Sequence, residues 1–329
     1  MNARRRLGVL LGGVLVVSVA FWAVCLRMPG ASRGAAGEGD AELEGELRAH
    51  VIALAGTRAQ RNVGNPSRYA EARGYVEDAL QKAGYEPERQ DYRVGEVGCS
   101  NLVATLRGAT HETVVIGAHY DAASGTPGAD DNASGTAALL ALARRLASDR
   151  PERTLHFVAF ANEEPPHFQT GDMGSVVYAH SLAERGETVV AMLSLESIGY
   201  YSDAEGSQRY PPPLSAFYPS RGDFVAFVGN VQSRALVREA LSAFREAEAF
   251  PSQGAALPAL LPGVGWSDQW AFWQAGYPGV MVTDTAPFRN PHYHASSDTP
   301  ETLDYDRLAR VTRGLVSVVR RLARSSPGS

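Results

Sequence analysis

Behind its first forty residues the chain repeats one pattern: a short run of branched apolar residues, then a longer stretch with helical spacing. Thr113–Ala118 (TVVIGA), Thr154–Ala161 and Thr188–Leu195 read as strands. Between them Ser134–Ala147 and Gly174–Arg185 read as helices, the first with Asn132 or Ser134 available as its cap. Asn101–Leu106 adds an earlier strand, and Phe224–Val228 and Gly279–Thr283 add later ones. Ser233–Ala247, Ser267–Ala275 and Thr302–Leu322 read as further helices. Ala41–Ala55, with Leu43, Leu47 and Leu54 near helical spacing, and Pro66–Ala83, closed by Gly84, precede the first strand as helices. Strands with uninterrupted apolar runs need cover on both sides. The alternation therefore predicts an α/β fold, with a mixed, largely parallel central sheet and helices on both faces.

In open sheets of this kind, ligands bind at the carboxyl ends of the strands. The residues that follow each strand are chemically alike. After TVVIGA come His119, Tyr120 and Asp121, and then Asp130 and Asp131 just ahead of a helix. After Thr154–Ala161 come Asn162, Glu163 and Glu164; after Thr188–Leu195 comes Glu196; after Gly279–Thr283 come His292 and His294. Five segments thus deliver acids or histidines to one edge. Beyond residue 40 the chain has no Gly-x-Ser-x-Gly, no Cys-His signature and no phosphate-binding glycine loop. Its two cysteines, Cys25 and Cys99, exclude a disulfide framework and a Cys-rich zinc module. A metal site here must be built from His and carboxylates.

Four motifs in order resemble the M28 family of zinc aminopeptidases: His119-Tyr-Asp121, Gly128-Ala-Asp-Asp131-Asn-Ala-Ser-Gly135, Asn162-Glu163-Glu164 and His294-Ala-Ser-Ser-Asp-Thr299. The resemblance runs from about Asn101 to the C-terminal helix. It implies two zinc ions in a mixed-sheet fold and removal of N-terminal residues from peptides, so a peptide with a free N-terminus is the implied partner. Asp131 would bridge both metals, chosen over Asp130 as the second acid of the pair. Glu164 and His294 would complete one metal's ligands, and His119 and Glu196 the other's. Asp121 would take the second imidazole N–H of His119 and fix its tautomer. Glu163 would be the general base. The three ligand carboxylates leave the two dications with one positive charge in excess, which one hydroxide neutralises. Cobalt or manganese suits the same oxygens and imidazoles.

The chain departs from the family pattern in places. Glu196 stands where many relatives carry Asp, and Gln269 where relatives often read His after Ser-Asp. The oxyanion donor has no assignment, since Val264 or Gly265 occupies the region where some relatives carry Tyr. Asp298 reads as a local cap or a supporting residue. Trp266, Trp270, Phe272 and Trp273 read as core or as substrate wall. Tyr200–Asp223, long and rich in proline and aromatics, leaves from the catalytic edge. Tyr201, Tyr210, Phe217 and Tyr218 would either wall a pocket there or cover the core. Two other functions stay open: a glutaminyl-cyclase-like acyltransferase with one zinc, and a non-catalytic ectodomain of the same fold.

The N-terminus speaks to location. Leu7–Leu26 is a 20-residue run without a charge, preceded by Arg4, Arg5 and Arg6 and followed by Arg27. At 1.5 Å per residue it spans about 30 Å, the thickness of a bilayer core. We expect 1–6 to be a cytoplasmic N-terminus, 7–26 a transmembrane signal anchor, 27–40 a flexible tether and 41–329 the peptidase domain on the extracytoplasmic side. A cleaved or lipidated form is the alternative. Residues 41–329 hold 26 basic and 34 acidic side chains, a net charge of −8, which argues against nucleic acid as a partner.

Overall fold

The computed structural model describes residues 12–13, 28, 30–34, 39–56 and 60–325. The apolar run Leu7–Leu26 lies outside the described residues apart from Gly12 and Gly13. No helix among the described residues is long and apolar enough to cross a membrane. Among the described residues, eight strands form one sheet: β1 (Glu88–Val94), β2 (Val97–Leu106), β3 (Glu112–His119), β4 (Thr154–Phe160), β5 (Thr188–Glu196), β6 (Val225–Asn230), β7 (Ser252–Leu257) and β8 (Gly279–Thr283). Their order is β1-β2-β4-β3-β5-β8-β6-β7. The central four, β4-β3-β5-β8, run parallel. On one side β2 and β1 continue antiparallel, and on the other β6 and β7 run antiparallel to β8. All four central strands therefore end at the same edge.

Among the described residues, seven helices cover the sheet: α1 (Ala41–Val51), α2 (Pro66–Lys82), α3 (Gly135–Leu146), α4 (Gly174–Glu184), α5 (Arg234–Ala247), α6 (Gln269–Gln274) and α7 (Tyr305–Leu322). Side chains alternate across β3 as a period of two requires. Val114, Ile116 and Ala118 enter the core beneath α1, α2, α3, α5 and α7, while Val115 joins the cluster under α4 and α6. In β4, Leu155 and Phe157 take the first face and Val158 and Phe160 the second. α3 is buried on nearly every side, which its small Ala-rich surface permits. α1 begins at Asp40, whose carboxylate accepts the Leu43 N–H at 3.0 Å.

The sequence reading misses β1 and β7, both at sheet edges. β1 (ERQDYRV) is half-exposed and polar, and it pairs with β2 across the two-residue turn Gly95-Glu96, where Gly95 takes φ +55°. Met28 and Gly30–Gly34, inside the segment expected to be a flexible tether, lie against the body. The Met28 N–H donates to Gly254 O, and the Arg33 and Gly34 N–H groups donate to Arg245 O at 2.7 and 2.9 Å.

Candidate active site

The edge where β3, β4, β5 and β8 end collects the acids and histidines that follow them. His119 is the last residue of β3 and Glu196 the last of β5. Glu163 and Glu164 follow β4 after Asn162, and Asp131 lies in the irregular turn ahead of α3, joined to Asn132 by a cis peptide. His294 arrives on the loop after β8 and remains open to solvent on one side. Three residues here hold left-handed backbone: Asn162 at φ 57°, Ser197 at φ 44° and His294 at φ 54°. Such conformations cost energy and persist only when the surroundings over-determine them. Asn162 is held by the Tyr69 hydroxyl, which donates to its side-chain oxygen at 2.8 Å.

The side chains converge on Asp131. Its Oδ1 lies 3.4 Å from His119 Nε2 and its Oδ2 lies 3.1 Å from His294 Nε2. Glu196 Oε2 is 3.2 Å from His119 Nε2, and Glu164 Oε2 is 3.1 Å from His294 Nε2. Glu163 Oε2 is 3.8 Å from His119 Nε2. Ligand atoms fall within 4.8 Å of one another in two trios, His119–Glu163–Glu196 and His119–Asp131–Glu164. Asp121 Oδ1 lies 3.4 Å from His119 Nδ1, and its two oxygens accept the backbone N–H groups of Glu163 and Glu164 at 3.1 Å each. One carboxylate thus faces the imidazole and positions the paired glutamates.

Asp130 has a different job. Its Oδ1 accepts the Gly199 N–H at 2.9 Å and its Oδ2 accepts from Asn290 Nδ2 at 2.7 Å. Asp298, buried, accepts the N–H groups of Asp130 and Asp131 at 2.9 and 3.2 Å, which sets the turn carrying Asp131. Ser267 donates to Glu196 Oε2 at 2.7 Å.

The electrostatics are those of too much buried acid. Burial alone would depress the His119 imidazolium, but Glu196 and Glu163, with Asp121 and Asp131, lift it well above the usual histidine range. Burial also works against protonated His294, yet Asp131 and Glu164 raise it to about 10. Glu164 is pushed up to about 7 by burial and by the charge of Asp131. Burial, then the neighbouring Glu196 and Glu164, raises Glu163 well above the carboxylate range, against the pull of His119. Neither ring nitrogen of His119 has a hydrogen bond of good geometry, although carboxylates surround it. A buried imidazole without partners inside a ring of carboxylates fits divalent cations, and nitrogen with oxygen ligands fits zinc.

Two residues escape the sequence reading. Arg61 is fully buried and donates to three carbonyls of the loop joining the two acid motifs: Tyr120 O at 2.7 Å, Pro127 O at 2.6 Å and Gly128 O at 2.8 Å. Burial lowers its guanidinium to about 10, against the pull of Asp121, Asp298, Asp131 and Glu164. No local pattern marks it, because all its partners are distant in sequence. Arg61→Met is expected to destabilise the fold by at least about 3 kcal/mol, since it strands three carbonyls. Urea unfolding checks this, and an unchanged midpoint would show that water replaces the guanidinium without cost. Tyr293, the second, stacks on His294 with ring centroids 4.0 Å apart. Burial and then the carboxylates of Asp131, Glu164, Glu196 and Glu163 hold its phenol firmly protonated.

A cleft opens beside Glu196 and Tyr293. Its walls are apolar and include Tyr210, Leu214, Tyr218, Trp266, Met281 and Phe288. Tyr210 and Tyr218 stack at 5.8 Å, and Trp266 stacks on Phe288. The aromatics of Tyr200–Asp223 thus divide. Tyr201 is buried against Phe250, while Phe217 stands outside the lining. Phe272 is core, packed with Phe160 and Tyr178.

Residues 101–319, which carry these site residues except Arg61 and Tyr69, match the description of Peptidase family M28. The chain belongs to that peptidase family. This M28 chain is 41% identical over 271 residues to the uncharacterized protein YfbL of Escherichia coli strain K12, covering 80% of this chain and 82% of that one. It is 25% identical to a probable leucine aminopeptidase of Trichophyton verrucosum, over 74% of this chain. It spans only 63% of that relative's length. Among solved structures, the aminopeptidase from Aneurinibacillus sp. strain AM-1 superposes with a TM-score of 0.52 at 25% identity, over 70% of this chain and 49% of that one. The Fimbriiglobus ruber glutaminyl cyclase superposes with a TM-score of 0.64 at 18% identity, over 89% of this chain and 99% of that one, a likeness of fold.

Proposed function

We propose that this M28 peptidase is a dinuclear zinc aminopeptidase that removes N-terminal residues from peptides. The observation that carries the reading is Asp131, whose two oxygens face two different histidines, each with its own glutamate. Asp131 would bridge, His119 and Glu196 would hold one zinc, and Glu164 and His294 the other. Bound zinc would supply Lewis-acid charge, making water easier to deprotonate and polarising the scissile carbonyl. Glu163, kept basic by burial and neighbouring acids, takes the proton from the attacking water and returns it to the leaving amine. Asp121 holds the His119 ring and the backbone of the glutamate pair. The Tyr293 hydroxyl is a protonated donor inside the site, suited to the carbonyl oxygen.

The apolar cleft beside Glu196 would take the side chain of the N-terminal residue. Val228→Trp should fill it and shift the ratio of kcat/KM for leucyl over alanyl amides by at least about tenfold, with zinc content unchanged. An unchanged substrate ranking would assign the cleft another role. The test of the whole reading is elemental analysis with activity on aminoacyl amides and on a glutaminyl peptide. Two zinc ions per chain and release of free amino acids support it. A pyroglutamyl product with one zinc would make the protein a cyclase, and neither product would leave a binding ectodomain.

The apolar run Leu7–Leu26 supports a membrane anchor with the peptidase on the extracytoplasmic side. Full-length protein is then expected to sediment with membranes. A mature N-terminus mapped beyond Leu26 would replace the anchor with a cleaved signal.

A further inference from the structure

Residues 41–329 carry a net charge of −8, yet one face reverses the sign. Two adjoining hollows, which share Glu246 and Arg321, are lined by seven arginines and only two acids, Glu239 and Glu246. Arg321 is paired with Glu246 at 2.7 Å, and Arg320 with Asp149, also at 2.7 Å. Arg245 is buried and spends its donors inward, on Met28 O at 3.1 Å and Ser252 O at 2.9 Å. Arg238 is exposed on α5, and Arg33 stands on the docked segment beside it. The surplus charge therefore gathers around Arg33 and Arg238.

The same face is where the chain leaves the body toward its N-terminus. Met28 is buried and bonded to Gly254 and Arg245, so this point is fixed. The uncharged run ends at Leu26, two residues before it. Two residues reach at most about 7 Å. Resting on the membrane-anchor reading above, whatever surface the apolar run enters must lie beside these arginines.

We propose that the arginine-lined face around Arg33 and Arg238 docks on anionic phospholipid headgroups of the bilayer that holds the N-terminal run. Charge complementarity names the partner: guanidinium groups take phosphate oxygens in pairs. Each basic residue near an anionic surface is worth roughly fivefold in partitioning, and salt screens the effect. The docked segment 28–34 then orients the peptidase on the membrane instead of leaving it on a free leash.

The test uses the full chain, with a fluorophore on Ser242→Cys in a Cys25→Ser background. The protein is reconstituted into vesicles of phosphatidylcholine, alone or with phosphatidylglycerol, that carry a headgroup-linked acceptor. Flotation reports insertion, and energy transfer reports docking. Insertion is expected in both lipids, with transfer at least about twofold higher in the anionic vesicles and returned to the neutral level by about 1 M salt. The Arg33→Glu/Arg238→Glu variant should insert equally and show the neutral level in both. Equal transfer in both lipids, with insertion intact, overturns the docking face and spares the anchor. A chain that does not float overturns both.

Discussion

Glu163→Gln is expected to keep the full zinc content and to lower turnover by at least about 100-fold. The substitution preserves size and leaves Asp131, Glu164, Glu196 and both histidines in place, so the proposed metal ligands are untouched. It removes the one carboxylate facing His119 Nε2 that the proposed metal sites do not use as a ligand. Positioned proton transfer contributes roughly 10²–10⁴ in rate. Backbone placement survives as well, because Asp121 holds the N–H of residue 163 whatever its side chain. Steady-state kinetics beside elemental analysis give the answer. Near-normal turnover with two zincs would remove Glu163 from the proton path.

Asp131→Ala is expected to have the largest effect on metal binding, with loss of both ions, whereas His294→Ala keeps about one equivalent. Each oxygen of Asp131 faces a different histidine. Burial would raise its pKa, but the two histidines outweigh burial and hold it far below the usual carboxylate range. Asp130→Ala separates the neighbouring acid's part. Its oxygens are committed to the Gly199 N–H and Asn290, so its loss should lower the unfolding midpoint more than the zinc stoichiometry. Calorimetric titration of zinc into the stripped proteins, alongside thermal melts, distinguishes the two. If Asp130→Ala loses more metal than Asp131→Ala, the bridge moves to Asp130.

Much of the site is legible because strand ends are legible. Apolar runs such as TVVIGA mark where β3 stops, and the polar residues beyond a stop must emerge at an edge. His119, Glu163, Glu164 and Glu196 are found this way, within one residue of the observed strand ends or just past them. Edge strands leave weaker marks. β1 is polar on its open side, and β7 (SQGAAL) is small and short, so neither shows an apolar run. Arg61 illustrates a further kind of silence. An arginine between two helices reads as solvated charge until three carbonyls some sixty residues away close around it.

By itself, then, the order of residues determined the α/β class, the strand ends that carry acids and histidines, the motifs of the family and the uncharged run at the N-terminus. These follow from period, propensity and spacing, which act over a few residues. Tertiary structure alone decided the rest. The ladder β4-β3-β5-β8 brings His119, Glu164, Glu196 and His294 around Asp131. It also sends Tyr201 into the core and Tyr210 to the cleft, and seats residues 28–34 against Gly254 and Arg245. Such choices depend on pairings between distant segments, where packing and the need to satisfy buried polar groups select one neighbour among many.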